Sequence, residues 1–198
     1  MKDTQIFVLL LVLGASLLFF GCVGGQDSTT KNVTKQVSYD DALDQFKSKD
    51  SNYTYYSSPM FLIYYPKGWQ ADDSKNPVFE FLSPLEDDSD KMQDGFAVEI
   101  WAGNESTAAE FEAYEQKLML KGDVVTSKGN IIYKGRDAFF MEVESKSPKF
   151  GIPMFYKTVF FRNGKWVYRL NYGFEKSKSG KYKQTMESIL ERFVIGSG

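Results

Sequence analysis

Three sets of side chains in this 198-residue chain have types and spacing that could support chemistry. The first is Gly21-Cys22, which ends the uncharged run of 15 residues from Ile6 to Phe20. A cysteine thiol directly after a small residue at the end of such a run can take a lipid through a thioether bond. The second is the acidic stretch Glu86 to Asp94, where Glu86, Asp87, Asp88, Asp90 and Asp94 lie within nine residues. Clustered carboxylates suit Ca²⁺, which takes six to eight oxygen ligands. The spacing is not that of an EF-hand, because Met92 falls where an oxygen ligand is needed and Gly95 is displaced. Calcium and a solvated turn both stay open. The third set is the sequons at Asn32, Asn52 and Asn104, each followed two residues later by Thr or Ser. In an archaeal host such sites on an exported chain are open to glycosylation.

Other chemistries lack carriers. There is no histidine, so the usual general base near neutral pH and the commonest metal ligand are missing. Cys22 is the one cysteine, which rules out an internal disulfide or a cysteine zinc site. A Ser–Lys pair is the remaining route to a serine nucleophile, but no recognisable motif holds one. No glycine-rich phosphate loop is present. We therefore expect no catalytic residues, no cofactor other than the calcium considered above, and no enzyme activity. The formal charge of −2 gives no electrostatic reason to expect nucleic acid. Trp69, Trp101 and Trp166 read as core aromatics or as the lining of a ligand groove. Lys67, Lys146, Lys149, Lys157 and Lys165 read as solvated sheet-face and loop residues.

The elements that must position these groups follow from hydrophobic periodicity. Residues 1–21 read as a signal peptide, since the apolar run is shorter than the roughly 20 residues a spanning helix needs. An uncleaved anchor is the alternative, because Val23-Gly24-Gly25 extends the run. Residues 22–36 read as a flexible tether with little to bury. Residues 37–198 form one domain, opened by a short helix carrying Tyr39, Leu43 and Phe46 up to about Lys49. Two alternating runs, Phe61–Tyr65 and Val78–Leu82, read as a strand pair around the turn Tyr65-Pro66-Lys67-Gly68-Trp69. Phe96–Trp101 is a further strand. Thr107 and Glu110 make a capping box for a helix with the stripe Phe111, Tyr114 and Leu118. Strands are expected at Val124–Thr126, Asn130–Lys134, Asp137–Glu144, Phe155–Arg162 and Lys165–Tyr172, with turns at Asn163-Gly164 and Gly135-Arg136-Asp137. A last helix begins near Ser179, with Tyr182, Met186, Ile189, Leu190 and Phe193 on one side.

This order predicts an α+β domain whose antiparallel sheet is flanked by helices in an α/β/α sandwich. Pro66-x-Gly68-Trp69, Gly135-Arg136-x-Ala138 and the C-terminal helix also resemble the PsbP-like family. That family includes the extrinsic photosystem II proteins, the Ran-binding nuclear import factors and many prokaryotic lipoproteins. The resemblance covers about Tyr53 to Ile195. It implies a non-catalytic binding or assembly role, although no Ran-binding or photosystem-binding residue set can be matched here. The expectation is a monomer, lipid-anchored through Cys22 on the outer face of the cell membrane. It would meet a protein partner through the loops Lys67–Lys75 and Glu86–Asp94. The alternative is a lipoprotein that binds a small ligand or a metal.

Overall fold

The computed structural model describes residues 51–87 and 90–196. The expected signal segment, tether and first helix, with Cys22 and Asn32, lie outside the described residues. Among those described, the chain runs β1 (Tyr53–Ser57), β2 (Phe61–Pro66), β3 (Gln70–Asp72), β4 (Val78–Leu82), β5 (Gly95–Ala102) and α1 (Ala108–Leu118). It continues with β6 (Val124–Tyr133), β7 (Arg136–Lys146), β8 (Pro153–Asn163) and β9 (Trp166–Glu175). A single 3₁₀ turn at Lys176–Lys178 leads into α2 (Ser179–Arg192) and β10 (Val194–Ile195).

All strand pairing is antiparallel. The large sheet has the order β3-β4-β5-β9-β8-β7-β6 and the small one β1-β2-β10. Side chains alternate between faces along each strand, so the large sheet has two distinct cores. On one face Phe81, Phe96, Val98, Val159, Phe161, Tyr168, Leu170 and Tyr172 meet α2 and the small sheet. On the other, Phe139, Met141, Val143 and Phe160 meet Phe111 of α1. The helices thus cover opposite faces, as the sandwich requires, and α2 shares its layer with the small sheet.

The run Phe61–Tyr65 is buried on both of its faces. Phe61, Ile63 and Tyr65 enter the main core, while Leu62 and Tyr64 form a second cluster with Tyr53 and Val194. It does not pair with Val78–Leu82, as the sequence suggested. The turn at Gly68 (φ 93°) sends the chain into β3, and β3 takes the place beside β4. Two further expectations change. Val124–Tyr133 is one strand with a bulge between Val125 and Ser127, not two strands. In α1 it is Glu115 that is buried with Phe111, while Leu118 is half exposed.

The α2 stripe behaves as its spacing predicts. Tyr182, Met186, Ile189 and Leu190 are buried, and Phe193 beyond the helix stacks on Phe61 with ring centroids 5.5 Å apart. The capping box is also present: Thr107 Oγ1 accepts from Glu110 N–H, and the Glu110 carboxylate accepts from Thr107 N–H. The two hairpin turns close one residue away from where their motifs stand, at Lys134-Gly135 and Gly164-Lys165.

Candidate functional site

The acidic stretch joins β4 to β5, and its base is fastened first. Leu82 lies opposite Gly95 in the ladder. Ser83 N–H donates to Asp94 O (2.8 Å), and Asp94 N–H returns a bond to Ser83 Oγ (3.1 Å). Within the loop Asp90 accepts from Glu86 N–H (3.0 Å) and Met92 N–H (3.3 Å). Short side-chain-to-backbone bonds of this kind fix a loop that has no ladder of its own. The loop therefore carries its own scaffold rather than being the solvated turn that a run of charges implies.

The rest of the scaffold comes from the start of α2. Lys178 Nζ stands 2.9 Å from Asp90 Oδ1, 3.5 Å from Asp94 Oδ2 and 3.8 Å from Glu175 Oε2. Asp94 is buried and also accepts from Glu175 N–H at 2.8 Å. One turn on, Lys181 Nζ (2.9 Å) and Tyr182 OH (2.8 Å) both donate to Glu86 Oε1. Trp69, from the turn after β2, lies against the Tyr182 ring at 6.3 Å. The two loops singled out by sequence, 67–75 and 86–94, are therefore joined through Tyr182.

The electrostatics follow from these contacts. Burial pushes the Asp94 carboxyl above its ordinary range, against the pull of the Glu175 N–H and the Lys178 ammonium. Asp90 is also desolvated, but hydrogen bonds from Lys178, Glu86 N–H and Met92 N–H hold it below that range. Burial disfavours the Lys178 charge, yet Asp90 and Asp94 together keep its pKa above that of a free lysine. Hydrogen bonds from Lys181 and Tyr182 lower Glu86. One cation thus bridges a pair of desolvated carboxylates, and the outer rim presents Leu85, Asp87 and Lys91 to solvent.

The other sequence candidates fall as follows. Asp88 lies outside the described residues. Asp87 is exposed and its backbone carbonyl accepts from Asp90 N–H. Among the described residues no three acidic or sulfur-bearing side chains stand together as a metal cage. Glu86, Asp90 and Asp94 instead turn their oxygens to lysines, a tyrosine and backbone amides. Asn52 and Asn104 are both exposed. The tryptophans do not form one groove, since Trp101 stacks on Tyr114 (4.9 Å) beside α1 while Trp69 and Trp166 pack on the opposite core. Lys157 is not a solvated residue. It sits 2.8 Å from Glu187 and 3.6 Å from Glu142, and Tyr172 OH donates to the same Glu187 oxygen at 2.6 Å.

One polar network has no local signal in the sequence. Beneath α1, Arg169 grips Glu115 with two bonds, Nε to Oε2 at 2.9 Å and Nη2 to Oε1 at 3.0 Å. Thr158 Oγ1 adds a third at 3.1 Å, and Tyr114 OH donates to neighbouring Glu99 at 3.1 Å. Every group here has a partner in the sheet or helix, so the network fastens α1 to the sheet.

Comparison with known structures agrees with this architecture. The cyanobacterial PsbP of Synechocystis sp. PCC 6803 matches with a TM-score of 0.53 at 12% identity, over 75% of this chain and 95% of that one. LpqN of Mycobacterium tuberculosis, described as involved in cell envelope biogenesis, matches with a TM-score of 0.50 at 14% identity. That match covers 82% of this chain and 99% of LpqN. No protein-family model matches the sequence, and no curated protein sequence does. At such identities the likeness concerns the fold alone, and the chain has a PsbP-like fold of the α+β class.

Proposed function

We propose that this chain is a membrane-tethered extracytoplasmic lipoprotein that works as a non-catalytic binding or assembly module. Its anchor would be lipid on Cys22, which follows the apolar run at Gly21. The observation that carries the binding role is the clamped loop. Desolvated Asp90 and Asp94 are spent on Lys178, which holds a shaped rim of Leu85, Asp87 and Lys91 beside the 67–75 turn. Fixing a polar loop before contact reduces the ordering cost of association, which is what a binding surface gains from such a clamp.

The anchor is tested by Cys22→Ser in the native host. One acyl chain holds a protein only marginally, so stable anchoring calls for at least two. The variant should leave the membrane fraction or accumulate as uncut precursor. A Cys22→Ser protein of mature size that stays with membranes as fully as the wild type would sink the lipid reading.

A further inference from the structure

The large sheet has two edges of different character. At one end β3 is three residues long; at the other β6 runs for ten residues and, among the described residues, pairs only with β7. A long open edge presents unpaired N–H and C=O groups and is a template for another strand. The bulge between Val125 and Ser127 disturbs the first part of β6, and the register is regular from Ser127 to Tyr133.

Beside that regular stretch lies a cavity of about 420 Å³. Its floor is apolar, made by buried Phe111 and Phe139 with Ala108. Ser106, Asn130 and Asp137 bring polar groups to its walls, and Ile132 on the rim is 70% exposed. The volume falls within the roughly 300–1,000 Å³ usual for ligand clefts, and an apolar floor with a few convergent polar groups is their usual chemistry. Several charges nearby are already matched: Lys128 with Glu112, the Glu110 carboxylate with the helix cap, Arg162 with backbone carbonyls of Asn104 and Gly164. Asp137 has no such partner among the described residues and lies directly across from Ile132.

We infer that β6 and this cavity together form a docking site for an extended polypeptide segment of a partner protein, carrying an apolar side chain and a basic one two residues away. The segment adds to the sheet at Ser127–Tyr133. Main-chain bonds to the open edge supply affinity, and alternate side chains supply specificity. Residues two apart along a strand share a face, so one segment can place an aliphatic group over Phe111 and Phe139 and a long cation towards Asp137. The site goes beyond the loop surface proposed above, and it stands at the opposite end of the same sheet. The loop leaves the sheet between β4 and β5, four to five strand spacings of about 4.8 Å from β6, so roughly 19–24 Å of sheet lies between the two surfaces and one module can hold two partners.

The test uses the full chain in detergent and a blocked peptide of alternating pattern, Thr-Leu-Thr-Lys-Thr-Val, followed by amide hydrogen exchange. Peptide should slow exchange at 127–133. Asp137→Lys should weaken it roughly tenfold, because an attractive exposed pair becomes a repulsive one. The same variant should favour a peptide with Glu in place of Lys. Ile132→Asp should abolish binding while leaving the melting temperature unchanged. Absence of protection, or protection indifferent to Asp137→Lys, overturns the inference. So does protection, before peptide is added, of those amides in 127–133 that point away from β7: dependence on protein concentration assigns the edge to a second copy, and independence assigns it to the chain's own N-terminal segment. Binding of free leucine amide without edge protection makes the cavity a small-molecule site instead. Partner cross-links at the 86–94 loop that survive these failures would leave the proposed function standing.

Discussion

Replacing Lys178 with Met should loosen the β4–β5 loop and destabilise the whole domain. The ammonium faces Asp90 and Asp94, whose side chains are 4% and 1% exposed. Removing one member of a buried ion pair costs about 3–5 kcal/mol, because the partner stays desolvated without compensation. Lys178 retains 16% of its exposure, so water can reach part of the vacancy. The expected loss is therefore about 2–4 kcal/mol. For a chain of this size that lowers the melting temperature by roughly 5–15 °C. The deficit should depend on pH, with a sign that follows from the carboxylates. Asp90 is held below its ordinary pKa in the native protein, so its contribution is present above the unfolded value and disappears as pH falls through the folded one. Asp94 is raised, so its ionisation works against folding as pH rises, and loss of Lys178 strengthens that penalty. The gap between wild type and variant should consequently narrow as pH drops below about 4 and close only once pH passes below the depressed folded pKa of Asp90. Urea and thermal unfolding at pH 7 and at pH 3.5 decide the matter. A shift below roughly 2 °C at pH 7, or one that does not change with pH, would show that the cluster is not a clamp.

Ile189→Ala in α2 should cost about 2–5 kcal/mol, since Ile189 is fully buried; a loss under about 0.5 kcal/mol in urea unfolding would mean the helix face is not packed as described. Glu115→Leu should cost about 3 kcal/mol by leaving Arg169 with only the longer 3.5 Å contact to Glu99, and adding Arg169→Met should recover most of it. If the double variant is no better than the single, the network contributes something other than mutual charge compensation. Burial raises the phenol pKa of Tyr133, and burial with the Glu187 carboxylate raises that of Tyr172. A raised phenol contributes stability that is complete below the unfolded pKa of about 10 and fades as pH climbs above it. In a spectrophotometric titration these two of the 12 tyrosines should ionise only as the chain unfolds; complete titration with the fold intact would contradict their burial.

Much of the scaffold is written in local periodicity. Phe96, Val98 and Ile100 alternate because one face of β5 meets the core, and the α2 stripe recurs at helical spacing because one side of that helix does. Elements whose partners are distant leave weaker marks. The middle of β6, Ser127-Lys128-Gly129, has the composition of a turn, because an edge strand need not bury those residues. Glu115 was hidden for the opposite reason: its burial depends on Arg169, 54 positions away, and nothing near it announces the pairing. Leu118 looked like core on apolarity alone. The acidic loop shows the same limit. Its charges are legible, but Lys178, 84 positions beyond Asp94, ties two of them into a clamp. Asp90→Asn should therefore lower stability in urea unfolding, because Asp90 holds Lys178 and two backbone amides.

A binding module of this kind must meet its partner through the clamped loop. Lysine-directed cross-linking of the full-length chain in its native membranes, read by mass spectrometry, addresses that directly. Lys67, Lys75 and Lys91 are exposed on the loop face, while Lys149 and Lys165 are exposed elsewhere. The prediction is a reproducible protein partner joined mainly at Lys67, Lys75 and Lys91, with those links lost in Lys178→Met. Links spread evenly over all five lysines, or no partner above background, would contradict a binding module that works through this surface.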